Sequence, residues 1–130
     1  MSQQSFDAIE PPHDLQAERN CLGAMAYRRA NVPVVIDTGL EPGHFYAPDH
    51  ARWYGTLFES WCNDEGIPNL SSATLGSLAD CIYHVPEASD PARYARIVLD
   101  TAIMRHGFYV AAGIEPPEHV GWPEWWAVRR

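Results

Sequence analysis

The sequence predicts an all-α fold: a compact orthogonal globule of about five to six helices, closed by a longer C-terminal helix. Three observations lead there. Apolar residues recur at i, i+3, i+4 and i+7 over most of the chain. Proline, glycine and capping residues interrupt them at helix-length intervals. No segment of any length alternates apolar and polar residues with period two, the pattern a half-buried strand requires.

The elements follow in order. Residues 1–10 form a polar lead-in before Pro11-Pro12. Asp14 is a plausible N-cap, and Leu15, Cys21, Leu22, Met25 and Ala26 follow at mostly helical spacing up to Arg28-Arg29, cations that suit a helix C-terminus. The short β-branched run at 32–40, VPVVIDTGL, leaves strand and helix equally open. Residues 48–64 are the clearest helix. Pro48 fits its first position and Asp49 its first turn, while Tyr54, Leu57, Phe58, Trp61 and Cys62 make one apolar stripe before Gly66 and Pro68 end it. Ser71 or Ser72 caps the next helix, with Leu75, Leu78, Ala79, Ile82 and Tyr83 on one face and Pro86 as its stop. Ser89-Asp90-Pro91 then opens the long helix. Tyr94, Ile97, Val98, Thr101, Met104 and Phe108 line one side of it, and it runs to about Gly113. Residues 11–114 are thus one helical domain, and 115–130 a Pro/Trp-rich tail carrying Trp122, Trp125 and Trp126.

At 130 residues, 46% hydrophobic and 20% charged, the chain is an ordinary globular domain that can bury a core without disulfides or metals. It has 17 acidic residues and nine basic ones, all arginine, for a net charge of -8. That balance makes direct nucleic-acid binding and an anionic membrane unlikely partners, because neutralising phosphates takes a clustered excess of cations. No apolar run is long enough to span a membrane, and the start MSQQSFDAIE lacks the basic and apolar regions of a signal peptide. Cys21, Cys62 and Cys81 are odd in number and widely spaced, which reads as mostly buried free thiols in the cytoplasm.

Catalytic and metal motifs are weak. Val34-Val35-Ile36-Asp37-Thr38-Gly39 matches the short aspartic-protease motif, but that fold is nearly all β, and a turn ending at Gly39 explains the residues as well. His44 and His50, or Cys62, Cys81 and His84, lack a standard ligand spacing. Without lysine there is no P-loop, and no GxSxG elbow occurs. The chain is therefore read as a non-enzyme with no cofactor. The three tail tryptophans either fold back on their own helices or anchor in a partner's groove. Arg96 and Asp100, one turn apart, are spaced to pair weakly on the outside of the long helix.

Several stretches carry a resemblance. Pro12-His13-Asp14-Leu15-Gln16-Ala17-Glu18, with Leu22-Gly23-Ala24-Met25, resembles the opening of the N-terminal domain of DnaB-type replicative helicases. Phe45-Tyr46-Ala47-Pro48-Asp49-His50 resembles that family's Phe-Tyr-x-Pro-x-His motif. Val85-Pro86, followed by Tyr94-Ala95-Arg96-Ile97-Val98, resembles a third landmark, and Arg105 falls near the arginine after it. The landmarks keep their order and spacing over about residues 11–106.

The resemblance implies an all-helical, non-catalytic globule, with 32–40 helical and the Asp-Thr-Gly match coincidental. It implies that Phe45 and Tyr46 pack in the core with Leu15, Leu22 and Met25, that Pro48 opens a helix, and that His50 caps or buttresses its first turn. The family's ATPase domain has no counterpart here, and the returning half of its helical arm is replaced by the Pro/Trp-rich tail. In the helicases this domain forms a collar and docks primase, in some systems also a loader. The expected partners are accordingly a helicase, primase or loader, with homo-oligomers possible. The expected contact residues are Arg93, Arg96 and Asp100 on the last helix, with Trp122, Trp125 and Trp126. The alternative is a small nucleic-acid-binding replication accessory protein.

Overall fold

A computed structural model describes residues 10–63, 72–86 and 90–117. Five α-helices and no strand occur among them: α1 (Leu15–Tyr27), α2 (Asn31–Ile36), α3 (Pro48–Cys62), α4 (Ser72–His84) and α5 (Pro91–Ala112). One 3-10 turn, Pro42–His44, lies between α2 and α3. The fold is the all-α one the periodicity predicts, and α5, at 22 residues, is the longest helix described.

Helix α1 is central and packs against α2, α3, α4 and α5. Its start follows from Asp14, whose carboxylate accepts the Ala17 amide at 2.9 Å. It ends one residue before Arg28, so the arginine pair lies beyond the helix, and Arg29 turns onto the Trp61 ring at 4.8 Å from its centroid. Cys21, Leu22, Ala24 and Met25 are completely or almost completely buried, and Val35, Leu40, Phe45, Tyr54 and Val98 complete the core from the other elements. Gly23 marks the closest crossing. A Cβ there would stand 2.5 Å from the Cys81 carbonyl oxygen, so only glycine lets the α1 and α4 backbones meet.

The β-branched segment is helical. Asn31 secures it by donating its side-chain amide to the Ala24 carbonyl at 2.8 Å, and Val32 and Val35 face the core. Asp37, Thr38 and Gly39 form the turn that ends it: Thr38 Oγ1 donates to the Val35 carbonyl at 2.6 Å, and Gly39 takes φ +90°. Asp37 is exposed at a helix end, which is no setting for a protease carboxylate.

Four sequence expectations need correction. On α4 the buried residues are Leu78 and Cys81, whereas Leu75 is 48% and Tyr83 84% exposed and Ala79 is also outside. On α5 the inward face is Pro91, Tyr94, Ala95, Val98, Ala102, Arg105, His106 and Tyr109, so Met104 faces out and two polar residues face in. On α5 apolar periodicity fails because it assumes that polar side chains stay wet. On α4, which packs against α1 at the Gly23 crossing, Leu78 and Cys81 reach the neighbour and the rest of the apolar face is left outside. Cys62 is exposed as well, at the end of α3 two residues past the buried Ser60, while Cys21 and Cys81 are buried. Asp90 occupies the N-cap position of α5, but its side chain makes no capping bond. Ser71 and Ser89 lie outside the described residues, as do residues 1–9 and 118–130.

Candidate interaction surface

Two features define the surface: a buried polar knot that fixes where α5 sits, and the face that α5 then presents. Glu18, on the Leu22–Met25 side of α1, is only 2% exposed. Its carboxylate accepts the Tyr46 amide at 2.6 Å, the Ala47 amide at 3.3 Å and the His50 Nδ1–H at 2.8 Å. Ala47 holds the N-cap position of α3 and makes no side-chain cap, while the Glu18 carboxylate binds the two amides just before the helix, near the positive end of its dipole. His50 does buttress the first turn, as the resemblance implies, but it does so through Glu18.

Arg105 links α5 to this knot. Its guanidinium, in a residue 2% exposed, donates to the His44 carbonyl at 2.7 Å and to the Pro12 carbonyl at 3.2 Å, and it lies 5.5 Å from the centroid of the Tyr46 ring. His13 stacks on Tyr46 at 4.2 Å with an interplanar angle of 8°. Tyr46 is therefore a half-buried wall rather than the core residue expected, while Phe45 is fully buried. The His44 Nδ1 accepts the Glu41 amide at 2.8 Å and so carries no proton. Burial, and secondarily the Arg105 charge, hold its pKa down to about 4. This knot positions elements and offers no open site for chemistry.

With its inner face so fixed, α5 turns one continuous stripe outward. Arg93, Arg96 and Asp100 are exposed in its first half. The structure places them on one face as expected, but no ion pair joins Arg96 to Asp100 among the described residues. The second half of the stripe is apolar: Ile103 is 36%, Met104 61% and Val110 48% exposed, and Ile114 beyond the helix is 40% exposed. Sequence reasoning missed these three α5 residues. The signal was present in the buried Arg105 and His106 beside them, because two polar residues facing in push their apolar neighbours out. A Schellman cap ends the helix. Gly113 takes φ +69°, its amide bonds to the Val110 carbonyl at 3.3 Å, and the Ile114 amide bonds to the Tyr109 carbonyl at 3.0 Å. Trp122, Trp125 and Trp126 lie outside the described residues.

The same arrangement of helices occurs in a solved structure. The crystal structure of the N-terminal domain of DnaB helicase from Mycobacterium tuberculosis superposes with a TM-score of 0.69, covering 80% of this chain and 84% of that one at 26% identity. The chain has a DnaB N-terminal-like fold. The replicative DNA helicase DnaB of Mycobacterium leprae (strain TN) is 28% identical over 109 residues, which is 74% of this chain and 18% of that protein's length. No family model matches. The likeness is to a non-catalytic domain of that replicative helicase, and the chain spans only a small part of the helicase's length. No described helix is long and apolar enough to cross a membrane.

Proposed function

We propose that this DnaB N-terminal-like domain is a non-enzymatic protein–protein interaction module of DNA replication, which binds a replicative helicase, a primase or a loader through the outward stripe of α5. The observation that carries the reading is the two-part character of that stripe. Arg93, Arg96 and Asp100 supply a polar rim, and Ile103, Met104 and Val110 an exposed apolar patch on a helix held rigidly by Arg105. Interfaces combine such an apolar centre with a charged border, and helices dock by apolar residues at three- and four-residue spacing. Trp122, Trp125 and Trp126 follow within reach in sequence and would add aromatic anchors to the same contact.

The test is a pull-down with the tagged full chain from lysate of its source cell, with the bound proteins identified by mass spectrometry. Recovery of a helicase, primase or loader that persists as salt is raised supports the reading. Capture of nucleic acid that falls steeply with salt would favour the accessory DNA-binding alternative instead.

A further inference from the structure

A second surface lies on the far side of α1. Two adjoining cavities of about 450 and 490 Å³ run between α1, α4 and the start of α3 and share Arg19, Asp80 and Cys81. One lobe extends past Gln16 and His84 to Pro86, the other past Trp53 and Gly76. Arg19 thus stands midway along one groove that continues on both sides of it. The combined size is that of a site for several side chains rather than for a water or an ion.

The charges in this groove are uneven. The Asp80 side chain is mostly exposed at the groove's edge; His84 Nδ1 bonds the Asp80 backbone carbonyl at 2.9 Å and lies 3.3 Å from the carboxylate. The Glu18 carboxylate is turned inward onto His50 and the Tyr46 and Ala47 amides that lead into α3. Arg19 has only the neutral Gln16 Oε1, at 3.3 Å, and no carboxylate reaches its guanidinium among the described residues. Arg19 is thus a half-buried cation with no carboxylate partner in a chain of net charge -8. Guanidinium geometry suits a carboxylate, and partial burial strengthens the pair relative to one in open water. Next to it the half-buried Trp53 ring and the bare backbone at Gly76, where a Cβ would meet nothing within 4 Å, leave room for an apolar side chain.

We propose that this groove binds an extended acidic segment of a partner protein, with an internal Glu or Asp carboxylate on Arg19 and the adjacent apolar side chain against Trp53. The groove's continuation on both sides of Arg19 favours a chain passing through over a C-terminal carboxylate. The proposal rests on the reading of the chain as an interaction module, but it concerns a surface separate from the α5 stripe.

The experiment is an amide and side-chain NMR titration of the full chain. The probes are the synthetic peptide acetyl-Gly-Leu-Glu-Trp-Gly-amide and its twin with Gln in place of Glu. The expected result is saturable shifts confined to the Arg19 Nε–H, the Trp53 indole and the Gly76 and Ser77 amides, with binding several-fold weaker for the Gln twin and weaker again as salt rises. Arg19→Gln should reduce the Glu peptide to the level of its twin. Gly76→Leu, placed where the structure has free space, should block both peptides without loss of fold. Absence of localised shifts up to about 5 mM peptide, where even a millimolar site would be well occupied, overturns the proposal. Equal binding of the twin, or shifts that map to α5, overturn it too. Peptide binding in the groove with no replication protein in the pull-down would leave this proposal standing and remove the preceding one.

Discussion

Glu18 Oε1 and His50 Nδ1 meet 2.8 Å apart across 32 residues of sequence, inside a core where both residues are almost fully buried. The pair does two jobs at once. It joins α1 to α3, and it leaves the other carboxylate oxygen to hold the Tyr46 amide that leads into α3. The loop so held carries the His44 carbonyl that receives Arg105. The orientation of α5 therefore depends on a residue in α1 that α5 does not bond directly.

Replacing Glu18 by Ala should destabilise the fold by about 3 kcal/mol, because it strands a buried imidazole and two amides at once. Glu18→Gln keeps one acceptor oxygen and should cost about half as much. Urea unfolding followed by circular dichroism measures both. An Ala variant within about 0.5 kcal/mol of the parent, the range of ordinary surface substitutions, would show that the knot does not anchor α3.

Two of the helical glycines, Gly23 and Gly76, should respond to alanine with opposite signs. At Gly23 the new methyl meets the Cys81 carbonyl oxygen at 2.5 Å, and α1 and α4 must move apart. The expected loss is about 1–3 kcal/mol, the usual scale for overpacking a core. At Gly76 nothing lies within 4 Å, so the change gains helix propensity, up to about 1 kcal/mol. Thermal melts of the two variants, run side by side, should move in opposite directions from the parent. A stabilised Gly23→Ala variant would contradict the close crossing of α1 and α4.

Acid should weaken the fold through His44. Its folded pKa is lowered to about 4 from an unfolded value of 6.5, so below 6.5 the unfolded chain binds the extra proton. The neutral ring's contribution is present above pH 6.5, falls as pH drops toward 4, and is fully lost below that. The interval corresponds to about 3 kcal/mol. His44→Gln, which retains an acceptor for the Glu41 amide but cannot titrate, should flatten the stability profile between pH 6.5 and 4 relative to the parent. Parallel profiles for the two proteins would assign the acid sensitivity to other groups.

Much of this was legible in the residues, and what was not has a common cause. The Asp14 cap, Pro48 at the start of α3 and Gly113 at the end of α5 are local effects, each fixed by a side chain or a backbone preference within a turn of the residue concerned. The segment at 32–40 is ambiguous in the sequence because the run is too brief to show a period. It resolves as helix through a bond from Asn31 to Ala24, seven residues back. The face of α5 is not legible because Arg105 and His106 are buried, and a period built on apolar residues cannot count them; the face of α4 is not legible because its burial depends on where α1 crosses it, at Leu78 and Cys81. Glu18 was detectable in principle, at i, i+4 and i+7 with Leu22 and Met25. The exposure of Arg93, Arg96 and Asp100 was legible. The apolar continuation of their stripe through Ile103, Met104 and Val110 was not, because it depends on which polar residues α5 buries.

That dependence makes the two sides of α5 separable by mutation. Met104 is 61% and Val110 48% exposed, so Met104→Glu with Val110→Glu should leave helix content unchanged and the melting temperature within a few degrees of the parent. If the outward stripe is the contact, the same double variant should lose partner recovery entirely, because a charge placed at the apolar centre of an interface must be desolvated without a counter-ion. Arg105→Met, one residue from Met104 but facing inward, should do the reverse in part. It strands the His44 and Pro12 carbonyls and should cost about 2–4 kcal/mol in urea unfolding. Its partner binding should weaken only in proportion to the unfolded fraction. Full partner recovery by the folded Glu double variant would move the interface off α5, while a double variant that unfolds would mean that the stripe is packed against other parts of the chain.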